Sequence, residues 1–165
     1  MNIIQLDEEC DAKHLAEACA DEGKVQAWRF PRNLRGAPDP EVLNVLLPKQ
    51  NPILTLDQGF ARDHSEFIPE LHPGILVLGY DDNSVRNMST HAAQKMLARL
   101  KTEIPGWEDL DMSNSIVTVK ESTIEISRCE SFVITVDELL LRENPGWQES
   151  LLRRLASNSA VGNLE

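Results

Sequence analysis

The sequence predicts an α/β fold, in which a mostly parallel sheet carries helices on both faces. Apolar runs alternate with amphipathic segments over residues 1–101, and this alternation is typical of parallel strands joined by crossover helices. The runs IIQL, ILTL and ILVL lack the polar alternation of a half-exposed strand, so we expect them to be buried on both faces. The chain of 165 residues is long enough for one domain with a sizeable core.

The predicted helices are identified by their apolar spacing and by their ends. In the first helix, Leu15 and Cys19 recur at helical spacing, and Gly23 follows the last turn. In the second, Pro40 takes the first position and Pro48 stops the helix. In chain order, the predicted elements are a strand at Ile3–Leu6, a helix over 11–22, a strand at Val25–Trp28, a helix over 40–47, a strand at Ile53–Leu56, a short helix over 63–71, a strand at Ile75–Leu78 and a helix from Ser89 or Thr90 to Lys101.

The pattern changes after the Pro-Gly-Trp sequence that ends at Trp107. SIVTVKES and TIEISR are β-rich and alternating, which predicts a C-terminal β-hairpin or two edge strands. A strand that leads into a helix, a last helix and a frayed tail are expected in the rest of the chain. We therefore predict a domain over 1–130 and a C-terminal extension over 131–165. The extension offers apolar surface for an oligomer contact or a protein partner, through Leu139, Leu140, Leu141, Leu151, Leu152 and Leu155.

The overall charge limits the kinds of partner that the protein can have. A formal net charge of -11 argues against a large nonspecific nucleic-acid surface, which needs many basic residues. It leaves room for a small basic patch or a cationic partner. We expect a cytoplasmic protein, because the N-terminus lacks a signal-peptide pattern, no apolar run approaches the length of a membrane span, and the three cysteines form no CxxC pair.

Acidic residues follow three of the predicted parallel strands. Asp7 and Glu8 follow the first strand, Asp57 the third, and an Asp-Asp pair the fourth. Because the carboxyl ends of parallel strands share one edge of the sheet, Asp7 and Asp57 are expected to lie side by side, with Asp39 facing the same edge. Carboxylates held together repel each other unless one is protonated or a cation binds. Hard oxygen ligands suit Mg²⁺ or Mn²⁺, which favour phosphate chemistry.

Each of these acids also has a simpler interpretation. Asp39 before a proline is a good helix N-cap, and Asp7 or Glu8 is suited to capping the first helix. The Asp81-Asp82-Asn83 sequence is a natural turn, and Asp57 is itself compatible with a turn. Basic residues near Trp28 and Phe30 can hold phosphate while the aromatic rings stack on a base, or they can belong to a solvated loop. These residues are Arg29, Arg32 and Arg35.

Five segments, in order, resemble one protein family. IIQLDEECDAKHLAEACADEG is similar to the first strand and helix of PIN-like nuclease domains, in particular the small toxin-type PIN-like proteins of bacteria. RGAPDPEVL resembles their arginine-glycine loop, which leads to an acid at a helix start. ILTLDQGFA resembles their hallmark strand, with the pattern Thr-x-Asp-x-Asp-Phe, and HPGILVLGYDD resembles their next strand. SIVTVKESTIEISR resembles their closing hairpin, so the resemblance covers about residues 1–130.

The resemblance implies a PIN-like fold and metal-dependent cleavage of RNA by carboxylates at one sheet edge. Position by position, it assigns the catalytic and metal-binding acids to Asp7, Asp39 and Asp57. The chain departs from the pattern at Gly59, where the family has a second acid. Further candidate metal ligands are Glu8, Glu41 and Asp63, of which Asp63 is a candidate substitute for the missing acid.

Three functions follow as expectations. The first is a Mg²⁺- or Mn²⁺-dependent endoribonuclease, with Arg32 or Arg35 holding the phosphate, as the toxin of a toxin–antitoxin pair with a protein antitoxin. The second is a degenerate PIN-like module that binds RNA or a protein without cleaving, which Gly59 and the net charge favour. The third is a phosphoacceptor receiver domain. It is ranked last because a receiver needs Thr or Ser at the end of the fourth strand and Lys after the fifth. Here the fourth strand ends in Gly79 and Tyr80, and no Lys-Pro pair follows a fifth strand.

Overall fold

The fold is built on one seven-stranded sheet with the order β2-β1-β3-β4-β5-β6-β7. The computed structural model describes residues 2–20, 23–82, 84–85, 88–103, 106–109, 111–127 and, for the backbone alone, 131–135. Neighbouring strands from β2 to β5 in this order are parallel. The strand β6 pairs antiparallel with both of its neighbours, β5 and β7. The strands are β1 (Ile3–Leu6), β2 (Gln26–Trp28), β3 (Ile53–Thr55), β4 (Ile75–Leu78), β5 (Ile116–Val119), β6 (Thr123–Ser127) and β7 (Ser131–Thr135).

Two apolar clusters cover the two faces of the sheet. Leu6 and Leu54 point to the side of α1 (Lys13–Ala20) and α3 (Thr90–Glu103). Ile53 belongs to the other cluster, which packs α2 (Asp39–Leu46) on the opposite side. Alternate residues of one strand thus enter opposite clusters, which explains why the central strands are apolar throughout. No helix in the described part of the chain is long and apolar enough to cross a membrane.

The predicted class, an α/β protein with a mostly parallel sheet and helices on both faces, is confirmed. One predicted helix, over 63–71, is instead a 3-10 turn at Ser65–Phe67. Pro69 lies within the predicted segment and lacks the N–H that a continuing helix would need.

The predicted hairpin is present as β5 and β6, which pair antiparallel. Neither strand is an edge strand, because β5 also pairs parallel with β4 and β6 pairs with β7. The sheet therefore continues through 131–135, into the predicted C-terminal extension. The helices and tail that were predicted after Thr135 lie outside the described residues.

The order of the strands places a topological switch point between β1 and β3. From β1 the chain crosses by α1 to β2 on one side, and it returns by α2 to β3 on the other side. In open α/β sheets, ligands bind in the crevice beyond the carboxyl ends of the two strands at such a point. Asp7 follows β1 and Asp57 lies just beyond β3, so both acids are at the switch point.

A buried polar side chain ties the central strand to its surroundings. Gln5 of β1 is only 2% exposed. Its side-chain amide donates hydrogen bonds of 2.9 Å to the carbonyl oxygens of Leu46 and Asn51. These carbonyls belong to the end of α2 and to the segment that enters β3. Gln5 therefore links β1 to the elements on both sides of the crossover without leaving its donors unpaired.

Gly74 occupies a position that should not tolerate a side chain. Its φ is +113°, and an added Cβ would lie 2.5 Å from the carbonyl oxygen of Met112. We expect Gly74→Ala to lower the free energy of unfolding by about 2 kcal/mol or more, because it adds a backbone clash to the strain of a positive φ. Chemical denaturation measures this change.

Gly23 provides the matched control for this prediction. Its φ is +91°, but nothing lies within 4 Å of an added Cβ. Gly23→Ala should therefore show the conformational cost alone, about 1 kcal/mol. Equal destabilisation by the two substitutions would contradict the contact with Met112.

Candidate functional site

A threonine hydroxyl connects the two acids at the switch point. Thr55 of β3 is fully buried, and its Oγ1 donates a hydrogen bond of 2.8 Å to Oδ2 of Asp7. The same hydroxyl oxygen accepts a hydrogen bond of 3.2 Å from the backbone N–H of Asp57. Asp7 and Asp57, which are 50 positions apart in the sequence, are thus joined through one side chain, as the sequence predicted that they would be neighbours.

Asp7 is an acid in an unfavourable environment for a charge. Only 3% of the residue is exposed, and burial, followed by the negative charge of Glu9 and a hydrogen bond to Glu9, raises the pKa of Asp7 from 3.8 to about 8. The hydrogen bond from Thr55 acts in the opposite direction but is outweighed. Asp7 is therefore protonated in this environment at neutral pH, unless a cation compensates its charge.

Asp39 joins the same group of acids from the start of α2. Its side chain is 34% exposed, and Oδ2 lies 3.3 Å from Nε2 of His64. Burial and then the negative charge of Asp57 raise its pKa, Glu9 acts in the same direction, and His64 lowers it. Pro38 occupies the cap position of α2 and makes no side-chain cap bond, so Asp39 is the first helical residue and does not act as the cap.

Glu9 belongs to this group, although the sequence pattern indicated its neighbour Glu8. The Glu8–Cys10 segment forms a 3-10 turn directly after Asp7, and Glu9 raises the pKa of both Asp7 and Asp39. The carboxylate of Glu8 instead accepts hydrogen bonds of 3.0 and 3.3 Å from the backbone N–H of Gly36. Glu8 therefore holds the loop that leads to α2.

The other predicted metal ligands are placed less centrally. Asp63 is exposed, and its Oδ1 lies 3.6 Å from Nε of Arg62. Glu41 is exposed in the first turn of α2. At the position of the missing acid, the N–H of Gly59 donates a hydrogen bond of 2.9 Å to Oδ1 of Asp57. Asp57 thus also forms the turn that the simpler interpretation proposed for it.

The two acids after β4, Asp81 and Asp82, accept hydrogen bonds from serine residues. Oδ1 of Asp82 accepts hydrogen bonds from the N–H and the hydroxyl of Ser84, at 2.9 and 2.7 Å. Oδ2 of Asp81 accepts a hydrogen bond of 2.8 Å from the hydroxyl of Ser122, in the turn between β5 and β6. The N–H of Val85 also donates a hydrogen bond of 3.2 Å to the carbonyl oxygen of Asp82, as in a turn, whereas Asn83 of the predicted turn lies outside the described residues.

The predicted phosphate-binding arginines differ in their surroundings. Asp11, whose side chain is 5% exposed, pairs with both Arg29 and Arg35. Arg32 is exposed and has no ion-pair partner among the described residues. No sequence pattern indicated Asp11 as a site residue. Together with Glu8, Asp11 fixes the loop that contains the three arginines and leads to Asp39.

The chemistry of these side chains fits a divalent cation. Asp7, Glu9, Asp39 and Asp57 offer only hard oxygen donors. Burial, and after it repulsion from neighbouring carboxylates, raises the pKa of Asp7 and of Asp39, and a cation would favour their ionised forms. In the described residues, no three acidic, histidine or cysteine side chains form a ready-made metal-ligand group. Binding would therefore require these side chains to move together.

Fold and site together define an α/β protein with an open, mostly parallel sheet and a group of four acids at its switch point. Comparisons with protein-family models, with curated proteins and with solved structures find no match to this chain. What the protein does must therefore be argued from its own residues.

Proposed function

We propose that the protein is a metal-dependent endoribonuclease that uses the acids at the switch point. One observation carries the proposal: Asp7, Glu9, Asp39 and Asp57 come from three separate segments, yet they form one group in which burial, and after it the charges of Glu9 and Asp57, raises the pKa of Asp7 or Asp39. Titratable groups with such perturbed pKa values in a crevice are characteristic of functional sites. The resemblance of the motifs to PIN-like nucleases supplies the choice of RNA as substrate.

In this proposal, Asp7, Glu9, Asp39 and Asp57 would hold Mg²⁺ or Mn²⁺. When bound, the cation would supply activation of water and stabilisation of the leaving oxygen in phosphodiester hydrolysis. Water adds across the bond between phosphorus and the leaving oxygen, which takes up a proton. Thr55 keeps Asp7 oriented, while the exposed Arg32 is available to a phosphate oxygen. The protein would then serve as the toxin of a toxin–antitoxin pair.

The degenerate module remains the first alternative, and Gly59 favours it. A side chain that the hallmark pattern supplies as an acid is absent, and the backbone N–H at that position is used by Asp57. Glu9 replaces the missing acid in number, because it adds a fourth carboxylate that the PIN-like pattern does not include. Cleavage in the presence of the bound metal, rather than metal binding alone, therefore distinguishes the nuclease from the degenerate module.

A phosphoacceptor receiver is the second alternative, and the position of Lys120 favours it. The strand order from β2 to β5 is the flavodoxin-like one that receivers share. Lys120 directly follows β5, is 6% exposed and lies 2.9 Å from Oε1 of Glu125. A receiver would need this lysine beside Asp57. Labelling of Asp57 by acetyl phosphate would support the receiver and contradict the nuclease.

Cleavage of short single-stranded RNAs tests the proposal directly. We expect cleavage in Mg²⁺ or Mn²⁺ and none in EDTA, and we expect Asp57→Asn to lower the rate by at least about 100-fold, because a metal-ligand charge is removed. Asp82→Asn is the matched control: it removes an acid from the same edge of the sheet, but one that bonds Ser84. Gel electrophoresis of labelled RNA gives the rates.

Two results would contradict the nuclease. One is the absence of both metal binding and cleavage in every divalent cation tested. The other is cleavage that Asp57→Asn leaves unchanged, which would indicate a contaminating ribonuclease. Metal binding without cleavage would instead support the degenerate module.

A further inference from the structure

The cavity beside the edge strand β2 differs in charge from the rest of the chain. Its volume is about 330 Å³, and its lining includes Trp28, Arg29, Lys49 and Leu46. Two lining residues are basic and none is acidic, although the protein carries a net charge of -11. The volume lies in the range of small-ligand pockets.

The sequence that contributes to the cavity is rich in basic residues, of which Lys24 pairs with Glu108, and Arg29 and Arg35 pair with Asp11. Residues 24–49 contain five basic and two acidic side chains. Arg29 is held by Asp11 while 50% of its side chain stays exposed, so its guanidinium is fixed in position at the surface. Lys49 is exposed, and no ion-pair partner is recorded for it within the described chain. The exposed cationic groups of Arg29 and Lys49 are thus suited to an anionic ligand.

Trp28 gives the cavity an aromatic wall. The residue is half-buried at the end of β2 and is aligned with Gln5 of β1. An indole with cationic side chains around it is the combination that binds single-stranded nucleic acid, because the ring stacks on a base and the cations meet the phosphates.

The cavity also adjoins the group of acids. Leu6 lines the cavity, and the next residue is Asp7, at the switch point. Trp28 is aligned with Gln5, two positions before Asp7 on the neighbouring strand. With a rise of about 3.3 Å per residue and about 4.8 Å between strands, the Cα atoms of Trp28 and Asp7 are roughly 8 Å apart, so a base on Trp28 would lie within one or two nucleotides of a phosphate at the acids.

We infer that this cavity is a nucleotide subsite for single-stranded RNA, in which Trp28 stacks on a base while Lys49 and Arg29 face the adjoining phosphates. The inference rests on the proposed function for its choice of RNA, and it identifies where the strand is held next to the acids. The larger cavity of about 500 Å³ near Phe67 is lined by no charged residue and offers no comparable attraction for a phosphate.

Binding in EDTA separates this subsite from catalysis. We would measure fluorescence anisotropy of a labelled ten-nucleotide single-stranded RNA with the full chain, so that no cleavage occurs during titration. Trp28→Ala should weaken binding about 10-fold or more, whereas Trp28→Phe, which keeps a ring, should remain within about threefold. Lys49→Ala should weaken binding severalfold and reduce its salt dependence by about one phosphate contact.

Lys95→Ala is the matched control for Lys49→Ala. Lys95 is exposed on α3, and no partner is recorded for it within the described chain, so its removal changes the net charge equally without touching the cavity. RNA affinity should stay within about twofold. Circular dichroism verifies folding, and Lys49→Ala, at an exposed site, keeps the test informative if Trp28→Ala fails to fold.

The outcomes distinguish this inference from the nuclease itself. Unchanged affinity in Trp28→Ala and Lys49→Ala, or RNA cleavage without measurable RNA binding in EDTA, would overturn the subsite while the nuclease stands. Weakened binding by both variants in a protein that never cleaves would support the subsite and remove the nuclease. Displacement of the RNA by polyglutamate with the same dependence on Trp28 would overturn it in favour of an acidic protein partner.

Discussion

Asp7→Asn should stabilise the protein at pH 8 and remove much of the dependence of its stability on pH. The pKa of Asp7 is about 8 in the folded chain against an ordinary value of 3.8. Between these values the folded state holds a proton that the unfolded state has lost, so the free energy of unfolding falls as pH rises. The slope reaches about 1.4 kcal/mol per pH unit, and the total is about 6 kcal/mol.

The measurement is urea denaturation in EDTA at intervals from pH 4 to pH 9. The quantity of interest is the difference between the wild-type protein and Asp7→Asn, since the pKa of Asp39 is also raised. The amide of the variant still offers an oxygen to Thr55, which limits other effects. Parallel stability curves for the two proteins across this range would show that Asp7 does not titrate as its burial implies.

Addition of Mg²⁺ extends the same argument. A cation stabilises the ionised form of Asp7, so it should raise the melting temperature most at pH 8 and least at pH 5. In Asp7→Asn this stabilisation should shrink. A wild-type response to Mg²⁺ equal at both pH values would place the cation away from Asp7.

Glu9→Gln should damage RNA cleavage far more than Glu8→Gln does. Glu9 interacts electrostatically with Asp7 and Asp39, whereas Glu8 accepts hydrogen bonds from Gly36. Loss of a charge that holds the cation should lower cleavage and Mg²⁺ affinity about 10- to 100-fold. Gln at position 8 keeps an acceptor for Gly36, so its effect should stay within about threefold.

Two measurements check this prediction. Single-turnover cleavage gives the rate, and calorimetric titration with Mg²⁺ gives the affinity without RNA. The two substitutions are matched in type, lie one position apart and change the net charge equally. A larger loss of cleavage rate and Mg²⁺ affinity in Glu8→Gln than in Glu9→Gln would assign metal binding to Glu8, the residue that the sequence suggested.

The sheet could be predicted because its signal is local. IIQL, ILTL and ILVL became β1, β3 and β4 with boundaries within one residue, since buried parallel strands need apolar side chains on both faces. The 3-10 turn at Ser65–Phe67 was missed because helical spacing outweighed the proline in the same segment. The alternating pattern of β5 and β6 predicts a hairpin or two edge strands, and it does not reveal that β4 also pairs with β5.

The neighbourhood of Asp7 and Asp57 was also predictable, because parallel strands share an edge. The choice between Glu8 and Glu9 was not, because it depends on how the 3-10 turn after β1 rotates successive side chains. Thr55 could have been found: it lies two positions before Asp57, and residues two apart in a strand share a face. Asp11 and His64 depend on contacts between distant segments, for which the sequence holds no signal.

Gln5 makes the alignment of β1 an all-or-none property. A slip by one position would turn its amide to the opposite face and strip the carbonyl oxygens of Leu46 and Asn51 of their donor. Hydrophobic packing alone would penalise such a shift less sharply, because IIQL is apolar on both faces. Asp7 therefore contacts Thr55 in only one register of β1. Sequence changes elsewhere in the core can change the stability of the site more easily than the position of Asp7.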